Sequence, residues 1–116
     1  MRQVFGRDEH IRRRGDFVRV YSKGARIQGR HMTIISLPTE LPVARLGITA
    51  TRKIGGSVKR NRAKRLIREM FRRSKPVPGT DIVVIPRPSL VQAPLAGLEA
   101  DYRAALARRR LLRATV

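Results

Sequence analysis

The stretch from Arg52 to Arg73 constrains the fold and the function of this chain more than any other part of its sequence. It contains ten basic residues and one acidic residue, Glu69. An apolar stripe with helical spacing runs through the same stretch and consists of Ala63, Leu66, Ile67, Met70 and Phe71. The pattern predicts a helix from Ser57, as its N-cap, to about Ser74, with the stripe on a core and the cations on the other faces.

The cations of this predicted helix repel one another. Four of them repeat at every fourth position and form one ridge: Arg60, Lys64, Arg68 and Arg72. Like charges at this spacing oppose an isolated helix by about 0.2–0.5 kcal/mol per pair, and basic residues near its start also oppose the helix dipole. A bound polyanion removes both penalties, so we interpret the ridge as a nucleic-acid contact. The alternative is a solvated basic face, although such faces usually mix both signs of charge.

The whole chain shares this bias. Its 116 residues include 27 Lys and Arg against 8 Asp and Glu, a formal net charge of +19. A small domain with this charge repels itself unless a polyanion neutralises it, which favours nucleic acid over a membrane surface as the partner. The absence of cysteine excludes disulfides, thiolate metal sites and a cysteine nucleophile. No apolar run exceeds four residues, so neither a transmembrane helix nor a signal-peptide core is predicted, and the expected location is the cytoplasm.

Local patterns predict the remaining elements. A first helix is predicted from Asp16, as its cap, to Lys23, because Phe17, Val20 and Tyr21 share one helical face. Apolar patterns predict strands at Arg30–Leu37, Arg45–Lys53 and Ile82–Ile85, and a further short strand within Gly24–Gly29. A closing helix is predicted from Leu95 to about Arg113, with an inner face of Leu95, Leu98, Tyr102, Ala105 and Leu106.

These elements predict an α+β fold, a single-sheet two-layer sandwich. The Arg45–Lys53 strand, the basic helix and the Ile82–Ile85 strand form a βαβ unit, so the two strands are expected to pair in parallel. Residues 14–116 are expected to form a single domain, and residues 1–13 a flexible basic arm that becomes ordered on binding.

The sequence contains no pattern of catalytic side chains. The eight acidic residues are scattered without the spacing of a paired acid–base or metal site, and His10 and His31 are isolated. The Gly55–Lys59 segment lacks the spacing of a Walker A loop. We therefore predict no catalytic residue and no metal ligand in this chain.

Three features beside the ridge are candidates for nucleic-acid contact. Gly55 and Gly56 allow a backbone to approach closely ahead of the basic helix. Asn61, which stands between two arginines, can bond a phosphate, a 2′-hydroxyl or a base edge, or simply water. Phe17 and Tyr21 can stack on unpaired bases, but their apolar face also suits a core, and the pattern alone favours the core.

Residues 53–69, with Arg60-Asn61-Arg62 at their centre, resemble the signature of the bacterial ribonuclease P protein subunit. Three flanking segments are also similar to that family: its first helix at Asp16–Gly24, a strand at Leu46–Thr49 with Arg52-Lys53 after it, and its last strand at Gly79–Ile85. The likeness runs from about Arg14 to Arg110, which is most of the chain.

The resemblance implies a fold of order αβββαβα with a left-handed βαβ crossover, an exception to the usual right-handed rule. It also implies a catalytic RNA as partner. That RNA, with Mg²⁺ held mainly by the RNA itself, removes the 5′ leader of precursor tRNA, while the protein binds the leader in a central cleft and supports the RNA electrostatically. Residues 14–116 then form a single RNA-binding domain, with no small-molecule substrate and no membrane partner.

The resemblance assigns Phe17 and Tyr21 to the leader cleft. The RNA-binding residues that it predicts are Arg52, Lys53, Lys59, Arg60, Asn61, Arg62, Lys64, Arg65, Arg68 and Arg72. Ile35 stands where some members of the family have an aromatic residue, and this departure removes one stacking partner from the cleft. Two other hypotheses remain: a structural RNA-binding protein of the ribosomal type with no part in cleavage, and a DNA-compacting basic protein.

Overall fold

The computed structural model describes residues 5–113. This part of the chain contains three α-helices, which are α1 (Arg14–Lys23), α2 (Ser57–Arg73) and α3 (Leu95–Arg108). It also contains four strands, which are β1 (Ala25–Gln28), β2 (Met32–Pro38), β3 (Arg45–Ile48) and β4 (Thr80–Pro86). Their order along the chain is the αβββαβα order expected from the sequence, and the short strand expected within Gly24–Gly29 is present as β1.

The four strands form one mixed sheet in the order β1-β2-β4-β3. β2 pairs antiparallel with β1 and with β4, where Ile34 lies opposite Val84. β3 pairs in parallel with β4, where Leu46 lies opposite Ile82, so the predicted parallel βαβ unit is confirmed with α2 as its connection.

The main core lies between one face of the sheet and the helices α2 and α3. The sheet contributes alternate residues of β2 and β4, such as Ile34 and Val84, and α2 contributes most of its apolar stripe, including Ile67 and Phe71. All four of these side chains are fully buried. Burying this stripe offsets the repulsion among the cations on the rest of α2, so tertiary packing rather than local preference holds the helix.

The second face of the sheet is partly covered by α1. Val20 packs there on Ile35 and Val83, and all three side chains are fully buried. Phe17 and Tyr21 pack around this smaller cluster and are only half-buried. The single sheet is therefore as predicted, but α1 adds a partial third layer to the expected two.

Several predicted boundaries and caps are wrong for local reasons. α1 begins at Arg14, and Asp16 lies in its first turn, where its carboxylate pairs with Arg19 (2.9 Å) instead of capping the helix. β3 ends at Ile48, before the predicted Lys53, and the Arg52–Ile54 segment forms a 3₁₀ turn. The N-cap of α2 is Gly56 and not Ser57, and α3 ends at Arg108, five residues before the predicted Arg113.

Residues 5–13 of the predicted arm lie against the domain in the structure. The amide of Ile11 donates a hydrogen bond to the carbonyl of Leu46 (2.9 Å), so this segment runs along the outer edge of β3. The Ile11 side chain is buried, and Glu9 pairs with Lys75 across a distance of 2.7 Å. These contacts bind the segment to the domain. Residues 1–4 of the expected arm lie outside the described residues.

Candidate nucleic-acid interface

The four cations that repeat along α2 lie on its outer side. We call Arg60, Lys64, Arg68 and Arg72 the α2 ridge; Arg68 is exposed and the other three are half-buried. Within residues 5–113, Arg72 alone among them has a carboxylate within salt-bridge distance, that of Glu69 at 2.7 Å. The ridge therefore keeps most of its positive charge available to a partner.

The α2 ridge borders a shallow open concavity. The residues that line this concavity are Asn61, Lys64, Arg65, Arg68, Glu69 and Arg72. The amide of Asn61 thus lies among cations, as its place in the sequence predicted. Arg62 points to another side of the helix, where its Nε donates a hydrogen bond to the carbonyl oxygen of Val91 (3.2 Å). The structure therefore does not bring Arg62 together with the ridge.

The start of α2 adds further positive potential. Its first turn contains no acidic residue and its N-cap, Gly56, offers no side-chain oxygen to the free amides of the helix start. A Cβ at Gly56 would meet no atom within 4 Å, so the backbone is open to an approaching group on that side. Arg52, Lys53 and Lys59 are all exposed around this end of the helix.

Phe17 and Tyr21 lie at the boundary between core and solvent, on the sheet face opposite α2. The Phe17 ring rests directly on Gly47 of β3, since a Cβ at that position would lie 2.7 Å from the ring. The Tyr21 hydroxyl forms a hydrogen bond with that of Thr49. Ile35, by contrast, is fully buried beneath α1. Both rings are thus fixed at one edge and still partly accessible, a geometry compatible with base stacking.

One small cleft joins the two sets of predicted residues. It measures about 160 Å³ and lies at the outer edge of β3. Phe17 and Gly47 form one side of it and Lys64 and Arg68 another, while Phe5, His10, Ile11, Leu46 and Ile48 complete the lining. Tyr21 does not reach this cleft. The structure therefore brings the first aromatic of α1 together with two cations of the α2 ridge.

The sequence reasoning missed Phe5 and His10, because it placed them in a loose arm. Their rings stack with centroids 3.8 Å apart and planes at 11°, and Phe5 also packs against Phe71, 4.9 Å between centroids. Phe5 and Ile11 are apolar residues in an otherwise polar segment, and that was the available signal. Burial lowers the pKa of the His10 imidazole, and the charges of Arg12 and Arg68 lower it further.

Two acidic residues, Asp81 and Asp101, form hydrogen bonds that join distant segments of the fold. Asp81 is fully buried and accepts two hydrogen bonds from Arg45, at 2.9 and 2.6 Å. Asp101 accepts the backbone amides of Arg30 and His31. Over residues 5–113, no three His, Asp or Glu side chains come together in a way that could hold a metal ion. In the same residues, no helix has the length and apolar content needed to cross a membrane.

These observations define the class of the protein: a strongly basic α+β domain with unpaired cations and partly exposed aromatic rings on its surface. Comparison with known sequences agrees with this class of protein. The sequence model of the family described as Ribonuclease P matches residues 5–110. The chain is 41% identical over 92 residues to the ribonuclease P protein component of Thermotoga petrophila, covering 78% of this chain and 79% of that one. It is 46% identical over 81 residues to that of Syntrophus aciditrophicus, covering 68% of each.

Solved structures agree as well. The ribonuclease P protein from Thermotoga maritima superposes with a TM-score of 0.78 at 33% identity, covering 86% of this chain and 96% of that one. A ribonuclease P protein from Staphylococcus aureus superposes with a TM-score of 0.79 at 29% identity, covering 90% and 98%. The chain belongs to the bacterial ribonuclease P protein family. It is thus an RNA-binding subunit of ribonuclease P that takes part in tRNA processing and has the ribonuclease P RNA as its partner.

Proposed function

We propose that this subunit binds the 5′ leader of precursor tRNA across α1 while its α2 ridge contacts the catalytic RNA. The observation that carries the proposal is the cleft at the edge of β3, where Phe17 meets Lys64 and Arg68. A single strand lying on α1 therefore passes directly beside the cations that hold the larger RNA. In this arrangement the subunit assists removal of the leader by positioning two RNAs against each other.

The leader contact rests on Phe17 and Tyr21. Half-buried rings that are fixed at one edge provide a flat surface for unpaired bases, and such stacking tolerates many sequences. Ile35 offers no ring to this surface, because it is buried under α1. Arg52 and Lys53, which are exposed before α2, supply phosphate contacts beyond the aromatic pair.

The contact with the catalytic RNA rests on the cations of α2. Seven of these cations contact phosphates: Lys59, Arg60, Arg62, Lys64, Arg65, Arg68 and Arg72. Asn61, which lies between two of them in the sequence, bonds a phosphate or a 2′-hydroxyl. Phosphate contacts carry little sequence information, so this surface recognises the shape and charge of the RNA. Arg72 contributes less than Arg68, because Glu69 already neutralises it at 2.7 Å.

The endonucleolytic chemistry of the complex belongs in this proposal to the RNA. The carboxylates of residues 5–113 do not fit a magnesium site, since most of them pair with Arg and Lys side chains or with backbone amides and they form no metal-ligating cluster. Mg²⁺ is then held mainly by the RNA, and this chain's own residues bind and orient the substrate. Because the family is bacterial and both partners are RNAs, we place the complex in the cytoplasm.

Reconstitution tests the proposal. Precursor tRNA is incubated at low Mg²⁺ with the catalytic RNA alone, with the full-length chain alone, and with both. We expect efficient cleavage at the 5′ end of the tRNA only with both, and tighter binding of precursor tRNA than of mature tRNA by the assembled complex. Cleavage by the RNA-free chain would contradict the assignment of the chemistry to the RNA.

The same experiment separates the other two hypotheses. A structural RNA-binding protein would bind the catalytic RNA and leave cleavage unchanged. A DNA-compacting protein would bind duplex DNA and leader RNA equally well, again without an effect on cleavage. Either result would overturn the proposed leader contact.

A further inference from the structure

The cleft at the edge of β3 contains a histidine that neither the family signature nor the leader-cleft assignment includes. His10 lines it together with Lys64 and Arg68 from α2 and Phe17 from α1. At about 160 Å³ the cleft is smaller than the roughly 300–1,000 Å³ that drug-sized ligands occupy, so it fits one small group such as a phosphate with part of its nucleotide.

His10 is held rigidly in this position. Its backbone lies in a bridge with Leu46 of β3, and Phe5 covers its ring in a parallel stack. Phe5 in turn packs on Phe71, which is fully buried in the main core. The imidazole is therefore fixed by a chain of packed rings that leads into the core, and it needs little reorganisation to meet a ligand.

The charges around His10 favour an anion. Arg12 follows it along the chain, Arg68 faces it from α2, and Lys64 lines the same cleft. Glu9 is the neighbouring acid, but its carboxylate is engaged by Lys75 at 2.7 Å. Three cations thus surround a neutral imidazole, and an anion among them would favour a proton on that imidazole.

On these grounds we infer that His10, Lys64 and Arg68 form a binding site for one phosphate of a single-stranded RNA segment, with the adjoining base against Phe17. The site rests on the proposed function and deepens it, because it adds a residue from outside the α2 helix and ties RNA binding to pH. The phosphate comes from the leader or from the catalytic RNA, and binding measurements distinguish the two.

The coupling to pH follows from linkage. Burial, Arg12 and Arg68 hold the pKa of His10 below its ordinary value in the unbound chain. A phosphate contact raises that pKa, so binding takes up a proton, and affinity increases as the pH falls through the pKa of the bound state towards the lower pKa of the unbound chain. We expect affinity to increase by about threefold to tenfold between pH 7.5 and pH 6.0.

The experiment uses the full-length chain at constant ionic strength and two binding measurements at each pH. The first is the affinity of the chain for the catalytic RNA. The second is the affinity of the assembled complex for precursor tRNA and for mature tRNA. The variants are His10→Asn, which keeps a hydrogen-bond donor but does not titrate, and His10→Arg, which is always charged. His31→Asn is the matched control, because the other histidine lies away from the cleft and bonds Ser89.

We expect both His10→Asn and His10→Arg to abolish the pH dependence of RNA affinity. At pH 7.5, His10→Arg should bind RNA at least as tightly as the unmodified chain. The control His31→Asn should keep the pH dependence. A dependence seen only with precursor tRNA assigns the phosphate to the leader, and one seen with the catalytic RNA assigns it to that RNA. Unchanged affinity and pH dependence in both His10 variants would overturn the phosphate site. If the unmodified complex does not distinguish precursor from mature tRNA, the proposed leader contact fails, whatever the His10 variants do.

Discussion

Two sets of basic side chains in this protein have opposite environments. Arg45 lies between the sheet and α1, where it donates two hydrogen bonds to the fully buried carboxylate of Asp81. Its guanidinium also lies 3.5 Å from the carboxylate of Asp16. Arg60, Lys64 and Arg68 lie on α2, and within residues 5–113 no carboxylate comes within 4.0 Å of them. The chain has few acidic residues, and the fully buried one, Asp81, pairs with Arg45 inside the fold. The positive charge of Arg60, Lys64 and Arg68 is therefore not neutralised within the described residues.

The largest expected effect is a loss of folding stability when the buried ion pair between Arg45 and Asp81 is broken. Arg45→Met leaves the carboxylate of Asp81 buried without its partner, and we expect a loss of about 3–5 kcal/mol in the free energy of unfolding. Arg65→Met, on the exposed side of α2, is the matched control and should leave stability unchanged within about 0.5 kcal/mol. Chemical denaturation measures both. Equal stability of the two variants would remove the distinction between the two sets.

The next largest effects distinguish a side chain of α1 that packs in the core from one that stacks on RNA bases. Val20 is fully buried, so Val20→Ala should lower the free energy of unfolding by about 1.5–3 kcal/mol. Phe17→Ala should instead lower the affinity of the complex for precursor tRNA by about 1–3 kcal/mol per stacked base, with little effect on mature tRNA. Val18→Ala, at an exposed position of the same helix, should change neither quantity.

If Phe17→Ala lowers the midpoint of thermal unfolding sharply without any leader-dependent loss of affinity, then its ring is a core residue. Gly47→Ala sharpens the test without removing the ring. The added Cβ would lie 2.7 Å from Phe17 and 3.3 Å from the Cβ of Ile11, so the ring must shift. We expect it to weaken leader binding in the same direction as Phe17→Ala.

A smaller effect, on the salt dependence of RNA binding, distinguishes the α2 ridge from Arg62 on another side of the helix. Arg68→Ala removes a cation that lies on the open concavity and beside the cleft, so the slope of log K for RNA against log salt should fall by about 0.7–0.9. Arg62 is bonded to the carbonyl of Val91, so Arg62→Ala should change the slope less. Titrations at several salt concentrations check this, with circular dichroism to confirm folding. A larger change for Arg62→Ala would show that the ridge is not the main contact.

The smallest effect concerns Glu9 and Lys75, which fasten residues 5–13 to the domain. Burial raises the pKa of Glu9, but the hydrogen bonds from Lys75 and the Gly6 amide and the charges of Lys75 and Arg113 outweigh it, so the net pKa is lowered. Its contribution to stability is therefore complete above the ordinary pKa of about 4.5 and is lost as the pH falls through the lower folded-state pKa. Thermal unfolding between pH 6 and pH 3 should show a shallower decline for Glu9→Gln than for the unmodified chain. Parallel curves would exclude this linkage.

Much of the fold follows from patterns that are local in the sequence. The spacing of Ala63, Ile67 and Phe71 determined α2, because a helix must bury such a stripe. Alternation determined β2, and a continuous apolar run determined β4, which is buried on both faces of the sheet. The position of the basic helix between two strands determined their parallel pairing. The cations of the ridge were likewise visible in the sequence.

The tertiary structure alone decided which residues of distant segments meet. Nothing local places residues 5–13 along β3, because their hydrogen bonds and their burial depend on an edge strand more than thirty residues away. Nor does the pattern of α1 indicate which face of the sheet it covers, since both faces of β2 are apolar. These two choices bring Phe5, His10 and Phe17 to Lys64 and Arg68. The sequence by itself determined the elements and the positive charge of α2, through short-range periodicity. The cleft required the fold, because its walls come from segments that become neighbours only when the core closes.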